Sequence, residues 1–273
     1  MTNKKRYPVA LTIAGSDSGG GAGIQADLKT FSANGVYGMS VITALTAQNT
    51  QGVRGIYGVP PAFIDQQLQT VLDDISTHAV KIGMLHSSAV INTVVENLIK
   101  YQPQHIVLDP VMVAASGDKL LEDEAIADLK TNLLPLATVI TPNIPEAEVI
   151  LQDKIQSIAD MKQAVQNIAD LTGGVSVLLK GGHGRDDQLI DVLYNAPENT
   201  IREYKFERVQ TKNTHGTGCT LSSAIAAALA KGFALQEAVA HGVNYVHEAI
   251  IQGAEYKLGA GYGPVHHFFK FWQ

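Results

Sequence analysis

The chain has 273 residues, of which 45% are hydrophobic and 17% charged, and this composition excludes a disordered protein. The formal net charge of −6 argues against a general nucleic-acid binder, because phosphate contacts need clustered Lys and Arg. The single cysteine excludes a disulfide framework and a multi-thiolate zinc site. No apolar run approaches the ~20 residues that span a bilayer, and the N-terminus lacks a signal-peptide core. We therefore expect a cytoplasmic protein that binds no membrane and no nucleic acid.

Short β-branched runs alternate with longer amphipathic stretches, which predicts an α/β fold with a mostly parallel sheet and helices on both faces. The predicted strands are 9–13, 37–44, 79–84, 105–108, 138–140 and 175–179, and the predicted helices are 24–34, 61–75, 88–101, 123–134, 158–171, 217–231 and 235–252. Segments 189–194 and 201–209 break this alternation and predict an antiparallel hairpin at a sheet edge. No linker or repeat is visible, so residues 1–273 are predicted to form one domain.

Polar or glycine-rich residues follow most of the predicted strands. They are Gly15-Ser16-Asp17, Met84, Asp109-Pro110, Thr141-Pro142-Asn143 and Lys180-Gly181-Gly182. In a parallel α/β sheet the ligand crevice lies at the carboxyl ends of the strands. We therefore expect the ligand site at this edge of the sheet, although strand ends are polar in most proteins.

A glycine-rich loop, residues 14–23, joins the first predicted strand to the first helix. It is not a P-loop, because no Gly-Lys-Ser/Thr closes it. Residues 21–26 approximate a dinucleotide fingerprint, but no acidic residue between Asp27 and Asp65 could hold the ribose, which disfavours a nicotinamide cofactor. The loop is better explained by a backbone that approaches a small ligand closely. Taken alone, Asp27 would compensate the helix dipole.

A second glycine loop, residues 211–220, leads into a helix of small residues. The N–H groups at the start of that helix predict an anion site. Cys219 lies in the first turn, where a helix N-terminus favours the thiolate, so we expect its pKa to be lowered. Lone cysteines are usually inert core residues, but the adjacent anion site favours a functional one here.

With both loops in view, the sequence resembles the hydroxymethylpyrimidine/phosphomethylpyrimidine kinases of thiamine synthesis, a branch of the ribokinase-like superfamily. The matching stretches are 12–17, 20–29, 40–48, 81–84, 141–147, 180–183, 213–221 and 263–268. They cover nearly the whole chain in order. The resemblance implies a ribokinase-like fold, ATP and Mg²⁺ as cofactors, a small pyrimidine substrate and a homodimer. It also implies two phosphorylations in one site, from the alcohol to the monophosphate and then to the diphosphate.

The resemblance assigns the phosphoryl-transfer residues to the second glycine loop and one lysine. Relatives that phosphorylate sugars carry an aspartate base where this chain has Cys219, so Cys219 would take the proton of the substrate hydroxymethyl group. The N–H groups of Gly216, Thr217, Gly218 and Cys219 would stabilise the transferring phosphoryl group. Lys180 would point at the nucleotide phosphates, and the flanking Gly181-Gly182 indicates a close approach of the ligand rather than an ordinary surface lysine.

The resemblance also implies where the nucleotide and the metal bind. Thr211 and Thr214 would contact the nucleotide together with Lys180. Asn143 and Glu146 form the family's Asn-x-x-Glu pattern and would help hold Mg²⁺ through water, since Mg²⁺ keeps several waters and uses few carboxylates. Asp109 is a second candidate near the metal, whereas Glu146 could also be an ordinary first-turn acid of a helix.

For the pyrimidine, the resemblance points to Gly15, Asp27, Gln48, Met84 and Val111. The Gln48 carboxamide can donate to a ring nitrogen and accept from the adjacent exocyclic amine. Asn49 could do the same, so the sequence leaves open which amide points inward. Met84 and Val111 would make apolar contact with the ring, and plain core packing explains them equally well.

Some relatives carry Asp-Pro-Ser-Gly-Gly after the first strand, whereas this chain has Asp17-Ser18-Gly19-Gly20-Gly21, so we expect a looser turn. His266 and His267 match the family tail, but we assign them no ligand role.

Three alternative functions stay open. A pyridoxal kinase would phosphorylate a similar ring hydroxymethyl group. A catalytically silent pyrimidine sensor is disfavoured by the intact Cys219, Lys180, Asn143 and Glu146. A sugar kinase is disfavoured by the cysteine in place of aspartate.

Overall fold

A nine-stranded sheet runs through the computed structural model, which describes residues 5–112, 121–181 and 188–272. Its strands are β1 (Val9–Asp17), β2 (Tyr37–Asn49), β3 (Gly52–Gly58), β4 (Ala79–Ile82), β5 (Ile106–Leu108), β6 (Val139–Ile140), β7 (Ser176–Leu179), β8 (Gln188–Asn195) and β9 (Thr200–Glu207). Their order is β3-β2-β1-β4-β5-β6-β7-β8-β9. The inner pairs from β2 to β7 are parallel, and β3, β8 and β9 pair antiparallel at the two edges.

The helices cover both faces of the sheet. They are α1 (Gly23–Ala33), α2 (Pro61–Leu72), α3 (Ser88–Tyr101), α4 (Asp123–Asp128), α5 (Ile144–Leu151), α6 (Ile158–Leu171), α7 (Thr217–Ala230) and α8 (Leu235–Gly253), and a π turn over 129–133 and a 3₁₀ turn over 134–136 follow α4. Helices α1, α7 and α8 share one apolar cluster with the sheet, and α2 to α6 share the other. Among the described residues, no helix is long and apolar enough to cross a membrane.

Strand residues alternate between these two clusters, as a sheet covered on both faces requires. In β1, Leu11 and Ile13 belong to the cluster with α2 to α6, and Ala10 belongs to the cluster with α7. Helix α7 is rich in alanine, and all of its residues from Thr220 to Ala230 are buried. Short side chains on helix and strand let α7 pack close to the sheet, so its N-terminus lies at the strand ends.

The predicted α/β fold with helices on both faces and an edge hairpin is confirmed, and helices α3 and α6 have the predicted bounds. The strand ends are predicted less well, because β1 continues to Asp17 and β2 to Asn49. Their pairing, Ser16 with Leu45 and Asp17 with Thr46, keeps the backbone extended beyond the apolar run.

Two elements are absent from the sequence prediction. Strand β3 makes the second edge antiparallel as well, and its residues are half-buried or exposed, so they show no alternating apolar pattern. Helix α5 is short and follows β6 directly, but it did carry a signal. Asn143 at the N-cap and Glu146 at the third position form a capping box, and Pro145 lies in the first turn.

Strand β1 is the topological switch point of the sheet. The chain passes from β1 to β2 on one side and reaches β4, on the other side of β1, only after β3 and α2. Crossovers that leave in opposite directions open a crevice at the carboxyl ends of the strands. The sheet therefore places the predicted strand-end residues around one opening.

Candidate active site

A cavity of about 860 Å³ lies at the carboxyl ends of the parallel strands. All but one of the predicted site residues line it: Gly15, Gln48, Met84, Asp109, Val111, Asn143, Glu146, Lys180, Thr211, Thr214, Gly216, Thr217, Gly218 and Cys219. The fold thus brings residues from seven separate segments to one space.

Asp27 is the exception, because it is fully buried and does not line the cavity. Both of its carboxylate oxygens lie 2.9 Å from Lys81 Nζ. The Thr12 hydroxyl donates to Oδ2 at 2.6 Å and the Ser223 hydroxyl to Oδ1 at 2.7 Å. The predicted contact of Asp27 with the pyrimidine is therefore wrong, since both oxygens are engaged inside the protein.

The first glycine loop is folded around the carboxylate of Asp17. Its Oδ1 accepts the Gly19 N–H at 2.8 Å, and its Oδ2 accepts the N–H groups of Gly21 and Ala22 at 3.0 and 2.8 Å. Side-chain oxygens of Asp stabilise turns in this way. These hydrogen bonds hold the turn at residues 17–21, where some relatives carry a proline that this chain lacks.

At the ends of β1 and β2, Gln48 and not Asn49 lines the cavity. Gln48 is half-buried, and its backbone is held by Ser18, whose Oγ donates to the Gln48 carbonyl at 2.8 Å and accepts its N–H at 2.9 Å. Thr46 Oγ1 lies 3.2 Å from Gln48 Oε1. Asn49 is exposed and accepts the Gln51 N–H instead. The choice between the two amides is thus resolved in favour of Gln48.

Met84 and Gly15 form the apolar part of this end. The Thr43 hydroxyl donates to the Met84 carbonyl at 2.7 Å and fixes its backbone. A Cβ on Gly15 would lie 3.0 Å from Met84 Sδ, so the glycine leaves room for the thioether. Val111 follows β5 and completes the apolar lining.

The second glycine loop begins α7 and forms the predicted anion site. Gly216 is the N-cap and has a φ of 83°. A Cβ there would overlap the Gly21 carbonyl oxygen, so only glycine fits this position. The N–H groups of Gly218 and Cys219 have no acceptor within the helix, whereas the Thr217 N–H donates to the Thr214 carbonyl at 3.3 Å. All three residues line the cavity.

His215 joins the two glycine loops. Its Nε2 donates to Asp17 Oδ2 at 2.8 Å, and its backbone N–H donates to the Gly263 carbonyl at 3.0 Å. Burial would raise the pKa of Asp17, but the hydrogen bonds from His215 and Ala22 outweigh it and hold that pKa below its usual value. Asp17 is therefore a permanent anion that fixes His215.

Lys180 and Asp109 face each other at the centre of the cavity. Lys180 Nζ lies 2.9 Å from Asp109 Oδ1, which also accepts the Thr141 hydroxyl at 3.1 Å. Burial would lower the pKa of Lys180, but the carboxylates of Asp109 and Glu146 outweigh it and raise that pKa. A Cβ on Gly218 would lie 3.1 Å from Asp109 Oδ2, so this ion pair lies directly against the anion site.

Asn143 and Glu146 first of all cap α5. The Asn143 side chain accepts the Glu146 N–H at 2.9 Å, and Glu146 Oε2 accepts the Asn143 N–H at 2.8 Å. Burial raises the pKa of Glu146 to about 7; Lys180 opposes this effect and Asp109 reinforces it. Glu146 therefore both caps α5 and places its carboxyl group in the cavity lining.

The carboxylates of Glu146 and Asp109 fit a Mg²⁺ ion that takes most of its ligands from water and phosphate oxygens. They are close enough for each charge to affect the other, and both line the cavity. Within the described residues, no cluster of three or more His, Cys, Asp or Glu side chains could hold a metal alone. One or two carboxylates completed by waters and phosphate oxygens is the usual Mg²⁺ site of a phosphoryl-transfer enzyme.

Cys219 is half-buried at the start of α7 and lines the cavity. Burial raises the pKa of its thiol to about 11, and the carboxylates of Asp27 and Asp109 add to the effect. Lys81 and a hydrogen bond from the Gly23 backbone oppose it. The predicted lowering is wrong, because desolvation outweighs the helix N-terminus.

Several residues of the cavity were missed by the sequence analysis. Phe206, Val246 and His247 come from β9 and α8 and line the end away from Gln48, and nothing in their sequence context marks them. Asp191 did carry a signal, as the only charge in the apolar strand β8. Burial raises the pKa of Asp191 to about 6, and its Oδ1 accepts the Gly181 N–H at 2.9 Å.

Gly181 does not open space for a ligand, contrary to expectation. A Cβ there would overlap the Ile190 carbonyl oxygen of β8, so the glycine is needed for strand packing. Gly182 and His183, the other residues of that motif, lie outside the described residues.

Comparison with known proteins agrees with this geometry. A family model described as phosphomethylpyrimidine kinase matches residues 17–266. The chain belongs to this family. It is 48% identical over 265 residues to the hydroxymethylpyrimidine/phosphomethylpyrimidine kinase of Rhizobium meliloti (strain 1021), and the matched residues cover 97% of this chain and 98% of that protein. The family resemblance read from the two loops is thereby confirmed.

Two solved structures share the ribokinase-like fold. A phosphomethylpyrimidine kinase from Clostridium difficile 630 has a TM-score of 0.78 and 49% identity, covering 89% of this chain and 99% of that chain. A pyridoxal kinase from Staphylococcus aureus in complex with AMP-PCP and pyridoxal has a TM-score of 0.86 and 35% identity, covering 97% of this chain and 94% of that chain. The fold alone is therefore compatible with either substrate.

We predict that His215→Leu weakens both stability and substrate binding, and that His215→Gln restores most of both. Losing a buried hydrogen bond to a charged group costs about 1.5–3 kcal/mol, and Gln Nε2 can still donate to Asp17. Urea unfolding and the KM values of both substrates test this. Equal losses in the two variants would show that the bond to Asp17 does not position the loops.

A second prediction concerns Glu146 in the metal-free protein. Its pKa is raised from 4.5 to about 7, so its contribution to stability is present below pH 4.5 and is lost as the pH rises through 7. In EDTA, Glu146→Gln should therefore stabilise the chain by about 2 kcal/mol at pH 8 and by little at pH 4.5. Thermal unfolding at both pH values measures this.

Glu148→Gln is the matched control, since Glu148 lies on the same helix, two residues on, and pairs with Lys154 at the surface. A surface pair contributes about 0–1 kcal/mol, so this variant should gain no stability. Destabilisation by Glu146→Gln at pH 8 would contradict the prediction.

Proposed function

We propose that this chain phosphorylates 4-amino-5-hydroxymethyl-2-methylpyrimidine with ATP, first to the monophosphate and then to the diphosphate, for thiamine diphosphate biosynthesis. The observation that carries the proposal is the placement of Cys219 in one cavity with a ring-binding amide, Gln48, on one side and the Lys180–Asp109 pair on the other. In this proposal, the ring with its hydroxymethyl group lies between the amide and the sulfur, which line the same cavity.

Gln48 orients the pyrimidine. Its carboxamide donates to a ring nitrogen and accepts from the adjacent amine, and Ser18 fixes its backbone. Met84 and Val111 contact the ring faces, and Gly15 lets Met84 approach. This pocket holds the hydroxymethyl carbon towards the N-terminus of α7.

ATP binds along the other half of the cavity. Thr211 and Thr214 contact the nucleotide, and the apolar wall that includes Phe206 and Val246 receives its base. The transferring phosphoryl group lies at the N–H groups of residues 216–219, where the helix N-terminus stabilises negative charge. Lys180, held as a cation by its carboxylate neighbours, balances the phosphate charge.

Glu146 and Asp109 hold Mg²⁺, with Asn143 close by and waters and phosphate oxygens completing the set. Bound there, the ion neutralises charge that develops on the phosphates. The roles of the chain are to keep both carboxylates in place through the α5 cap and the Thr141 hydroxyl, and to exclude other anions.

Cys219 is the general base of the first step. Its thiolate accepts the proton of the hydroxymethyl group as the oxygen attacks the γ-phosphorus of ATP. The second step needs no such base, because a phosphate acceptor has a second pKa near 6 and is already a nucleophile at neutral pH. One site can therefore catalyse both reactions with different demands on the cysteine.

Pyridoxal kinase is the second candidate, and the likeness to the Staphylococcus aureus enzyme favours it. Pyridoxal presents a similar ring hydroxymethyl group, so the same base and anion site would serve. A silent pyrimidine sensor is the candidate of another class. The homodimer implied by the resemblance stays a prediction.

The proposal is tested by ADP release with Mg-ATP and three separate acceptors: hydroxymethylpyrimidine, its monophosphate and pyridoxal. We expect turnover of the first two and little of the third. Gln48→Ala should raise the KM for the pyrimidine, and Asn49→Ala, which removes the neighbouring exposed amide, should not. Activity on pyridoxal alone would establish the second candidate, and binding of the pyrimidine without ADP would establish the sensor.

We predict that Cys219→Ala lowers kcat of the first step by about 10²–10⁴-fold, the usual contribution of a general base, and leaves most of the second step. With a thiol pKa of about 11, kcat/KM of the first step should rise between pH 7 and pH 10, whereas that of the second should be flat. Steady-state assays with each acceptor measure both. Comparable losses in the two steps would show that Cys219 is not mainly a base.

A further inference from the structure

A buried charge network lies inside the protein next to the cavity. Lys81 of β4 and Asp27 of α1 form an ion pair with no exposed surface on either side chain. Thr12 and Ser223 donate to the two oxygens of Asp27, so four elements of the fold converge on one carboxylate. Unpaired charges are too costly to bury in this way, and none of the roles above uses this pair.

Helix geometry places the pair beneath Cys219. The Gly23 backbone hydrogen-bonds to the sulfur, which joins the first residue of α1 to the first turn of α7. Asp27 and Ser223 lie four residues after Gly23 and Cys219, respectively, so each lies on the same helix face one turn deeper. The hydrogen bond between Ser223 and Asp27 is thus the next contact below the one at the sulfur.

The charges around the sulfur come from three elements. Lys81 on β4 favours the thiolate, and Asp27 on α1 and Asp109 after β5 disfavour it. The ammonium of Lys81 is the cation among these groups, and the charge of Cys219 in turn favours protonated Lys81. Removing Lys81 therefore takes away the cation that favours the thiolate, and removing Asp27 takes away the group that keeps this cation charged.

We propose that Lys81 stabilises the thiolate of Cys219 from below, and that Asp27, Thr12 and Ser223 hold its ammonium group in place. This inference rests on the proposed role of Cys219 as general base. Lys81 acts through the cysteine, so it is a positioning residue and not a catalytic one. Asp27, which the sequence placed at the substrate, anchors this cation.

The proton balance of the step is simple. Before turnover, the thiol of Cys219 gives its proton to water in the cavity, and Lys81 keeps all of its protons. The thiolate then accepts the hydroxymethyl proton while the substrate oxygen bonds to the γ-phosphorus and ADP leaves. Lys81 neither gains nor loses a proton, because the ion pair with Asp27 keeps it charged.

The single cysteine of the chain allows a direct test without substrates. The rate of iodoacetamide alkylation against pH, measured in EDTA without nucleotide, reports the ionisation of Cys219 alone. We expect Lys81→Met to slow alkylation about tenfold at pH 8, since removing a neighbouring cation raises a thiol pKa by about one unit or more. Asp27→Asn removes the anchor that keeps Lys81 charged and in place, so it should also slow alkylation, and the Lys81→Met/Asp27→Asn double variant should be no slower than Lys81→Met alone.

Slower alkylation separates electrostatics from damage to the fold, because a loosened fold exposes the thiol and accelerates alkylation in every variant. Ser223→Ala keeps the charges of Lys81 and Asp27, so it provides a second test if Lys81→Met and Asp27→Asn do not fold. Loss of its hydrogen bond to Asp27 loosens the anchor of the Lys81 ammonium group, so alkylation should slow about threefold. Ser222→Ala, the neighbouring substitution on the same helix, should change nothing, since the Ser222 hydroxyl bonds only within α7.

Unchanged or faster alkylation in Lys81→Met or in Asp27→Asn, or no shift in Ser223→Ala, would overturn the inference. Because alkylation needs no kinase activity, its result is independent of the proposed function. A chain with the expected alkylation profiles and no ADP release would refute the proposed function alone. A chain that phosphorylates the pyrimidine with unchanged alkylation profiles would refute the role of Lys81 alone.

Discussion

The site depends on the close contact between the two glycine loops. Gly216 lies against the Gly21 carbonyl oxygen, and His215 binds the carboxylate around which the first loop folds. These contacts set the N-termini of α1 and α7 side by side at the opening of the sheet. The strand ends proposed to bind the ring and the anion site proposed at α7 thereby acquire a fixed separation, which an in-line transfer between two substrates requires.

Burial decides the chemistry of the charged groups inside this frame. Desolvation raises the pKa values of Cys219 and Glu146, and paired charges keep Lys180 and Lys81 protonated. The low dielectric that makes the thiolate costly also strengthens each interaction of Lys180 and the α7 N–H groups with phosphate.

The sequence predicts the overall fold and most of the site for a clear reason. Strand ends meet at one edge of a parallel sheet, so polar residues there, such as Asp109 and Lys180, fall together without any knowledge of packing. The resemblance adds their roles. Gln48 could not be separated from Asn49 by sequence, because the choice depends on how far β2 extends and on the contact with Ser18.

Packing across long distances in the chain accounts for what the sequence does not predict. Asp27 and Lys81 are 54 positions apart, and only the approach of α1 to β4 and α7 shows that they pair. The pKa of Cys219 follows from the same approach, because burial between α1 and α7 outweighs the helix N-terminus that the local sequence displays. A lone charge inside an apolar strand, as at Lys81 or Asp191, is the one local sign of such a network.

Because the pKa of the Cys219 thiol is raised, the two proposed reactions make different demands on the cavity. A phosphate acceptor brings its own ionised oxygen and needs no base, whereas an alcohol acceptor needs the thiolate. In the proposed scheme, the buried ammonium of Lys81 favours the thiolate that the alcohol acceptor requires.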